Sequence, residues 1–288
     1  MALRAVVTVC IALAGLSTQA PALAEKPKAQ ARPNKAEVDR LKAPLASGSE
    51  AEKLAALDEL GKQTGVNAPA AAGAVNELLA RGASVAVLTR ALEVSGKLAQ
   101  PSSTPVVAPY ARHRSSEVRV AATRALATTG GPEAVKVLRD ALHGGDRAVR
   151  GFAASGLATL AAKDAVPDLF AVLAKDVPEA AGAIGELCTG AECGKFADLL
   201  GRLPFDLMQT GLGPLLLRPE SEVPPEFKLE LLERLRKLQT DEARKFLETI
   251  QAAYPEKGHA WVKYGLEQAV GNKPVVVPAS AKGKAKGQ

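Results

Sequence analysis

The sequence predicts an all-α protein, a solenoid of about six stacked helix pairs with a further helix capping its C-terminal end. Three observations carry this. Apolar residues make up 47% of the 288-residue chain but aromatics only 3%, so the core must be built from Ala, Leu and Val, and Ala and Leu head the order of helix formers. A segment also repeats: Val118-Arg119 returns as Val149-Arg150, and Ala134-Val135, Leu138 and Leu142 return as Ala165-Val166, Leu169 and Leu173, all 31 positions later. One such unit holds too few large aliphatic side chains to offset the entropy of ordering itself, so neighbouring units must cover it.

The chain begins with one arginine, an apolar run from Ala5 to Leu16, and Ala22-Leu23-Ala24 before Glu25. That run is too short for a membrane span, and the small-residue triplet has the pattern of a signal-peptidase site. Residues 1–24 are therefore expected to be a signal peptide that takes Cys10 with it, and the mature protein to be exported, periplasmic or secreted. Residues 25–48 read as a flexible basic linker, 49–271 as the solenoid and 272–288 as a disordered lysine-rich tail. Setting aside Arg4, the six bases and three acids of 25–42 and the four lysines of 272–288 leaves 26 bases against 28 acids. The body is slightly acidic, so the excess of base is not a nucleic-acid footprint and no nucleic-acid partner is expected. Lys282, Lys284 and Lys286 either aid solubility or touch an anionic envelope polymer or lipid.

Helices are expected in pairs along the body. The first pair spans about 51–62 and, after an Asn67 cap, 70–81. The second includes a helix opened at Thr104-Pro105 and kinked by Pro109. In the third, Val118 to Thr128 is broken by Gly130-Gly131, and Pro132 opens the next helix, where a missing N–H costs nothing. The fourth is capped by Asp146 and Asp164. A fifth pair follows over "DVPEAAGAIGELCTGAECGKFADLLGRL", then an irregular stretch over 204–225. Residues 226–238 and 241–253 give a sixth pair with a Thr240 cap, and 260–270 closes the row, with Trp261 and Tyr264 expected to cover its last open face.

The pattern VR-x-x-A-x-x-x-L, a Gly, then A-x-x-x-L-x-x-x-L with an acidic cap before the next VR resembles the HEAT repeat, and is most similar to the phycobilisome-lyase HEAT-like type. The likeness is tight over 115–175 and looser over 50–112 and 176–203. It implies a right-handed solenoid whose second helices line a concave face, and a role in protein binding and scaffolding, here in an exported bacterial setting. HEAT-like hydroxylases hold a di-iron centre through His-Glu dipeptides, whereas His113, His143 and His259 are followed by Arg114, Gly144 and Ala260. Bilin lyases share the repeat, but an export signal separates this chain from their substrates.

No catalytic, cofactor or metal residues are assigned. Ser155-Gly156 lies in a helix rather than in a nucleophile elbow, and the three histidines fall in separate units. No phosphate-binding glycine loop follows a strand. The chain is expected not to be an enzyme and to use no cofactor. Cys188 and Cys193, flanking a turn between helices, are a disulfide candidate in an exported chain; a redox pair or free thiols are the alternatives. For binding another protein, the polar face of Lys136, Arg139, Asp140 and His143, continued by Asp168 and Lys175, is the candidate surface. The loop "RPESEVPP" at 218–225 is either a spacer or a docking element.

Overall fold

The computed structural model describes residues 35–276 apart from Gly145 and Asp176. The signal segment expected at 1–24 and the tail beyond Val276 lie outside these residues. Among the described residues there are fifteen α-helices and no β-strand. In order they are α1 (Lys35–Ser47), α2 (Glu50–Leu60), α3 (Ala68–Arg81), α4 (Val85–Leu98), α5 (Thr104–Val107), α6 (Ser116–Thr129), α7 (Gly131–His143) and α8 (Arg147–Thr159). Then follow α9 (Val166–Leu173), α10 (Pro178–Leu187), α11 (Gly190–Ala197), α12 (Phe205–Leu217), α13 (Pro225–Lys237), α14 (Asp241–Ala253) and α15 (Ala260–Val270).

The helices form two rows. Each even-numbered helix from α2 to α14 packs on the next even one, while α1, α3, α5, α7 and α9 form the odd row, rejoined by the contact of α13 with α15. This is the expected all-α solenoid. At α11 the odd row is held by single side chains: Phe196 meets Phe170 of α9 edge-on at 6.5 Å, and Asp198 just beyond α11 pairs with Arg234 of α13 at 2.7 Å. The kink expected at Pro109 is a change from α5 to a 3-10 turn over Ala108–Arg112.

Three expectations need correcting. From Lys35 the supposed linker is helix α1, with Val38, Leu41 and Leu45 buried at spacings of three and four, so it is the first member of the odd row. The stretch expected to be irregular contains α12, with Leu207, Met208, Leu212, Leu215 and Leu216 buried. Because α12 fills an even position, α13 falls in the odd row, and α15 is the odd partner of α14 as well as the closing helix. Trp261 and Tyr264 do not cover that helix; Val262, Gly265, Leu266 and Ala269 are its buried side, and the two aromatics are exposed.

Small residues set how close the even helices come. A Cβ on Gly185 of α10 would lie 2.0 Å from the carbonyl oxygen of Gly211 in α12, and one on Gly211 2.2 Å from that of Ala181. Gly156 faces Ala127 across α8 and α6, where an added Cβ would be 3.0 Å from the alanine methyl. Bonds between neighbouring helices of a row then fix the offset. On the even side Arg90 pairs with Asp58 (2.6 Å) and Thr128 donates to Gly96 O (2.9 Å). Arg119 donates to Asp146 (2.9 Å), which also caps α8 through the Val149 N–H (3.0 Å). Ser116, the Val149 N–H and Arg119 together hold the Asp146 carboxyl below its ordinary pKa. On the odd side Lys42 pairs with Glu77 (3.7 Å) and Arg112 with Asp140 (2.9 Å).

Replacing Gly185 by Ala is expected to cost about 3 kcal/mol or abolish folding, because backbone rather than a movable side chain blocks the new methyl. Gly73→Ala, at an exposed site of α3 where a Cβ meets nothing within 4 Å, should instead gain up to about 1 kcal/mol. Thermal unfolding followed by circular dichroism reads both; an unchanged melting temperature for Gly185→Ala would refute the close approach.

Candidate partner-binding groove

Helix α7 buries Ala134, Leu138 and Leu142, which turns Lys136, Arg139, Asp140 and His143 outward. Across the odd row, α9 buries Val166, Leu169 and Leu173 and presents Asp168. Between them runs a groove of about 450 Å³, lined by the apolar Pro132 and Val135 and by Lys136, Arg139, Asp140, His143, Asp164 and Asp168. Five of the six residues singled out for binding are brought together here. Lys175, beyond the end of α9, is not part of the lining.

Most of the charge in this groove is already used. Arg139 Nε donates to Asp168 at 2.6 Å and its Nη1 to Asp164 at 3.1 Å, and these carboxylates, Asp168 foremost, raise the guanidinium pKa. His143 Nε2 lies 3.4 Å from the other Asp168 oxygen, and Asp140 accepts from Arg112 at 2.9 Å. Lys136 takes no ion-pair partner among the described residues and is the groove's uncommitted cation. Sequence reasoning missed this division, since the partners of Arg139 and Asp140 lie 25 to 29 positions away.

The histidines play structural parts. His113 Nδ1 accepts the Ser115 N–H at 3.1 Å, and His259 Nδ1 caps α15 through the Trp261 N–H at 3.3 Å. Among the described residues no group of three or more His, Cys, Asp or Glu is placed to hold a metal ion.

Cys188 caps the end of α10 and is disulfide-bonded to Cys193 of α11, with Cα atoms 5.2 Å apart. The loop at 218–225 is tied down beside it. Arg218 donates to Cys188 O at 2.8 Å and Gly185 O at 3.3 Å, and pairs with Glu222 at 2.9 Å. Glu220 accepts from Lys228 at 3.2 Å and from the Tyr254 hydroxyl. Both carboxylates of the loop are thus turned to internal partners, which favours the spacer over the docking element. The Lys228 side chain is fully buried, and its ammonium also donates to Arg218 O. Its position was readable: Lys228 precedes Leu231, Leu232 and Leu235 by three, four and seven residues, on the apolar stripe of α13.

Burial alone would raise the Glu220 pKa, but the Tyr254 hydroxyl, a backbone N–H and Lys228 outweigh it and hold the carboxyl down to about 2. A carboxylate depressed in the folded state adds stability above its unfolded pKa of about 4.3, and that stability is lost as pH falls toward the folded value. Glu220→Gln, which leaves Lys228 buried without its counter-ion, is expected to be about 3 kcal/mol less stable at pH 7. The deficit should shrink between pH 4.5 and 2, roughly the window set by the two pKa values. Urea unfolding at several pH values measures it, and a pH-independent deficit would contradict the assigned bonds.

A family model described as HEAT repeats matches residues 72–148, from within α3 to the first turn of α8. No curated protein matches the chain. Solved structures that match include the complex of CpcE and CpcF of phycocyanin lyase from Nostoc sp. PCC7120, at 20% identity, covering 81% of this chain and 99% of that one with a TM-score of 0.47. A designed armadillo repeat protein matches at 18% identity, covering 82% and 99%, with a TM-score of 0.41. An engineered protein matches at 17%, covering 82% and 96%, with a TM-score of 0.39. Residues 72–148, which include most of α3 and all of α4 to α7, are similar to HEAT repeats.

Proposed function

We propose that this chain is an exported, non-enzymatic adaptor that receives a segment of another protein in the groove between α7 and α9. The observation that carries this is the groove itself: apolar Pro132 and Val135 beside a set of fixed ion pairs and, among the described residues, one unpaired cation, Lys136. Such a surface is preorganised, so a partner ordering itself against it meets side chains already held in place. The similarity of residues 72–148 to HEAT repeats supports a scaffold role. A second reading is favoured by charge. The excess of base lies at the two ends while the body is slightly acidic, which suits tethering of the protein to an anionic envelope polymer or lipid.

Arg139 braces α7 against α9, so Lys136 is the position where binding can be tested without loosening the fold. Mature protein used as bait in an envelope extract is expected to recover a stoichiometric partner, and Lys136→Glu to recover roughly tenfold less with unchanged thermal unfolding. Equal recovery by both baits would remove the groove from the account. For export, intact mass of the protein purified from cell envelope should correspond to a chain beginning at Glu25; a mass that includes residues 1–24 would refute the signal peptide.

A further inference from the structure

Five large apolar side chains are exposed among the described residues, and three of them, Trp261, Tyr264 and Val276, fall at the C-terminal end. Trp261 is the one tryptophan of the chain. Helix α15 turns its small and aliphatic side toward α13 and α14, and no further helix follows among the described residues. Trp261 and Tyr264, three positions apart, share the open side with exposures of 40% and 58%. The chain then folds back along α15: the Lys273 N–H reaches Gln268 O at 2.8 Å. Val275 lies over Gly265 and donates its N–H to Glu233 at 3.0 Å, which leaves Val276 exposed at the same end.

The companion helix α14 behaves as a terminal helix should, showing Asp241, Glu242, Arg244, Lys245 and Glu248 to solvent. Helix α15 instead exposes Trp261 and Tyr264, with Glu267 the one exposed charge among its residues. From Tyr254 to Val276 the chain carries Lys257, Lys263 and Lys273 against Glu256 and Glu267, and the sequence adds Lys282, Lys284 and Lys286 further on.

We propose that this end of the helix rows is a docking surface for an anionic lipid bilayer, with Trp261 and Tyr264 seated at headgroup depth. Indole and phenol rings, apolar in body and polar at one edge, are the side chains that favour the membrane–water interface. The lysines of this part of the sequence supply the charge complementary to anionic headgroups. The inference rests on the basic-tail reading for attraction at a distance and adds the surface that inserts.

Because Trp261 is the sole indole, its emission reports insertion directly. The full mature chain is titrated with vesicles of phosphatidylglycerol and phosphatidylcholine, and separately with phosphatidylcholine alone. Expected are a blue shift with the anionic vesicles only, and roughly tenfold weaker co-sedimentation for Trp261→Ala and for Tyr264→Ala, both exposed positions whose folding is checked by circular dichroism. Binding to anionic vesicles with no change in Trp261 emission would overturn the aromatic surface and leave the tail tether standing. Failure to bind either vesicle would overturn both, and capture of the mature protein by another protein through these rings without lipid would overturn the aromatic lipid surface.

Discussion

Everything in this molecule depends on the close contact between helices of one row, one repeat apart. No helix pair covers itself; α10 is buried because α8 and α12 lie on either side of it. Those contacts are dispersion and desolvation between short side chains, which need near-touching backbones to be worth much. The Gly185–Gly211 approach is the limiting case, and the alanine-rich composition is its general form. A chain built this way has little use for large aromatics; of the few it has, Phe170 and Phe196 meet edge-on between α9 and α11, with Phe196 reaching to Gly211 of α12.

Dispersion between smooth helices does not by itself fix how far one slides along the next. The polar bonds across each row do. Arg90 to Asp58, Arg119 to Asp146, Arg112 to Asp140 and Arg139 to Asp168 each join adjacent layers. Exposed ion pairs of this kind contribute about 1 kcal/mol or less apiece, too little to hold the fold but enough to select one register among several of similar packing. Their second effect is on the groove. With its rim charges committed to each other, it presents shape and hydrogen-bonding groups more than net charge, and Lys136 is left as its unpaired cation among the described residues.

The repeat at 115–175 made the fold legible, because Val-Arg and the aliphatic ladder recur at one offset and therefore face the same neighbours. Legibility failed where the physical signal was suppressed. Helix α12 has no polar side chain after Thr210, and it carries Gly211, Gly213 and Pro214. Its polar residues, Asp206, Gln209 and Thr210, are confined to the first half of the helix, so the second half shows no helical alternation, and glycines needed for close approach look like breakers. Helix α1 was hidden by its basic surface and Pro44, although Val38, Leu41 and Leu45 mark the buried stripe. The groove was legible in its members and not in its pairing: Arg139 and Asp140 are adjacent in sequence yet reach in different directions, to α9 and to the turn before α6.

The decay of the repeat after residue 175 has a physical counterpart. In the third and fourth pairs a Val-Arg opens the even helix, and Arg119 ties its layer to the cap of the next. In the fifth, Val177-Pro178 stands in that place, and proline brings neither a cation nor an N–H. Other bonds take over there. The disulfide closes the α10–α11 turn, Arg218 seizes the carbonyls at the end of α10, and Lys228 with Glu220 and Tyr254 joins the next loop to α13 and α14. A buried ion pair is costly to form and more costly to break, so this network does not make the junction more stable than the regular repeats. It makes it more specific: sliding α13 by one turn would strand a buried ammonium, a penalty that an alanine-rich interface cannot impose.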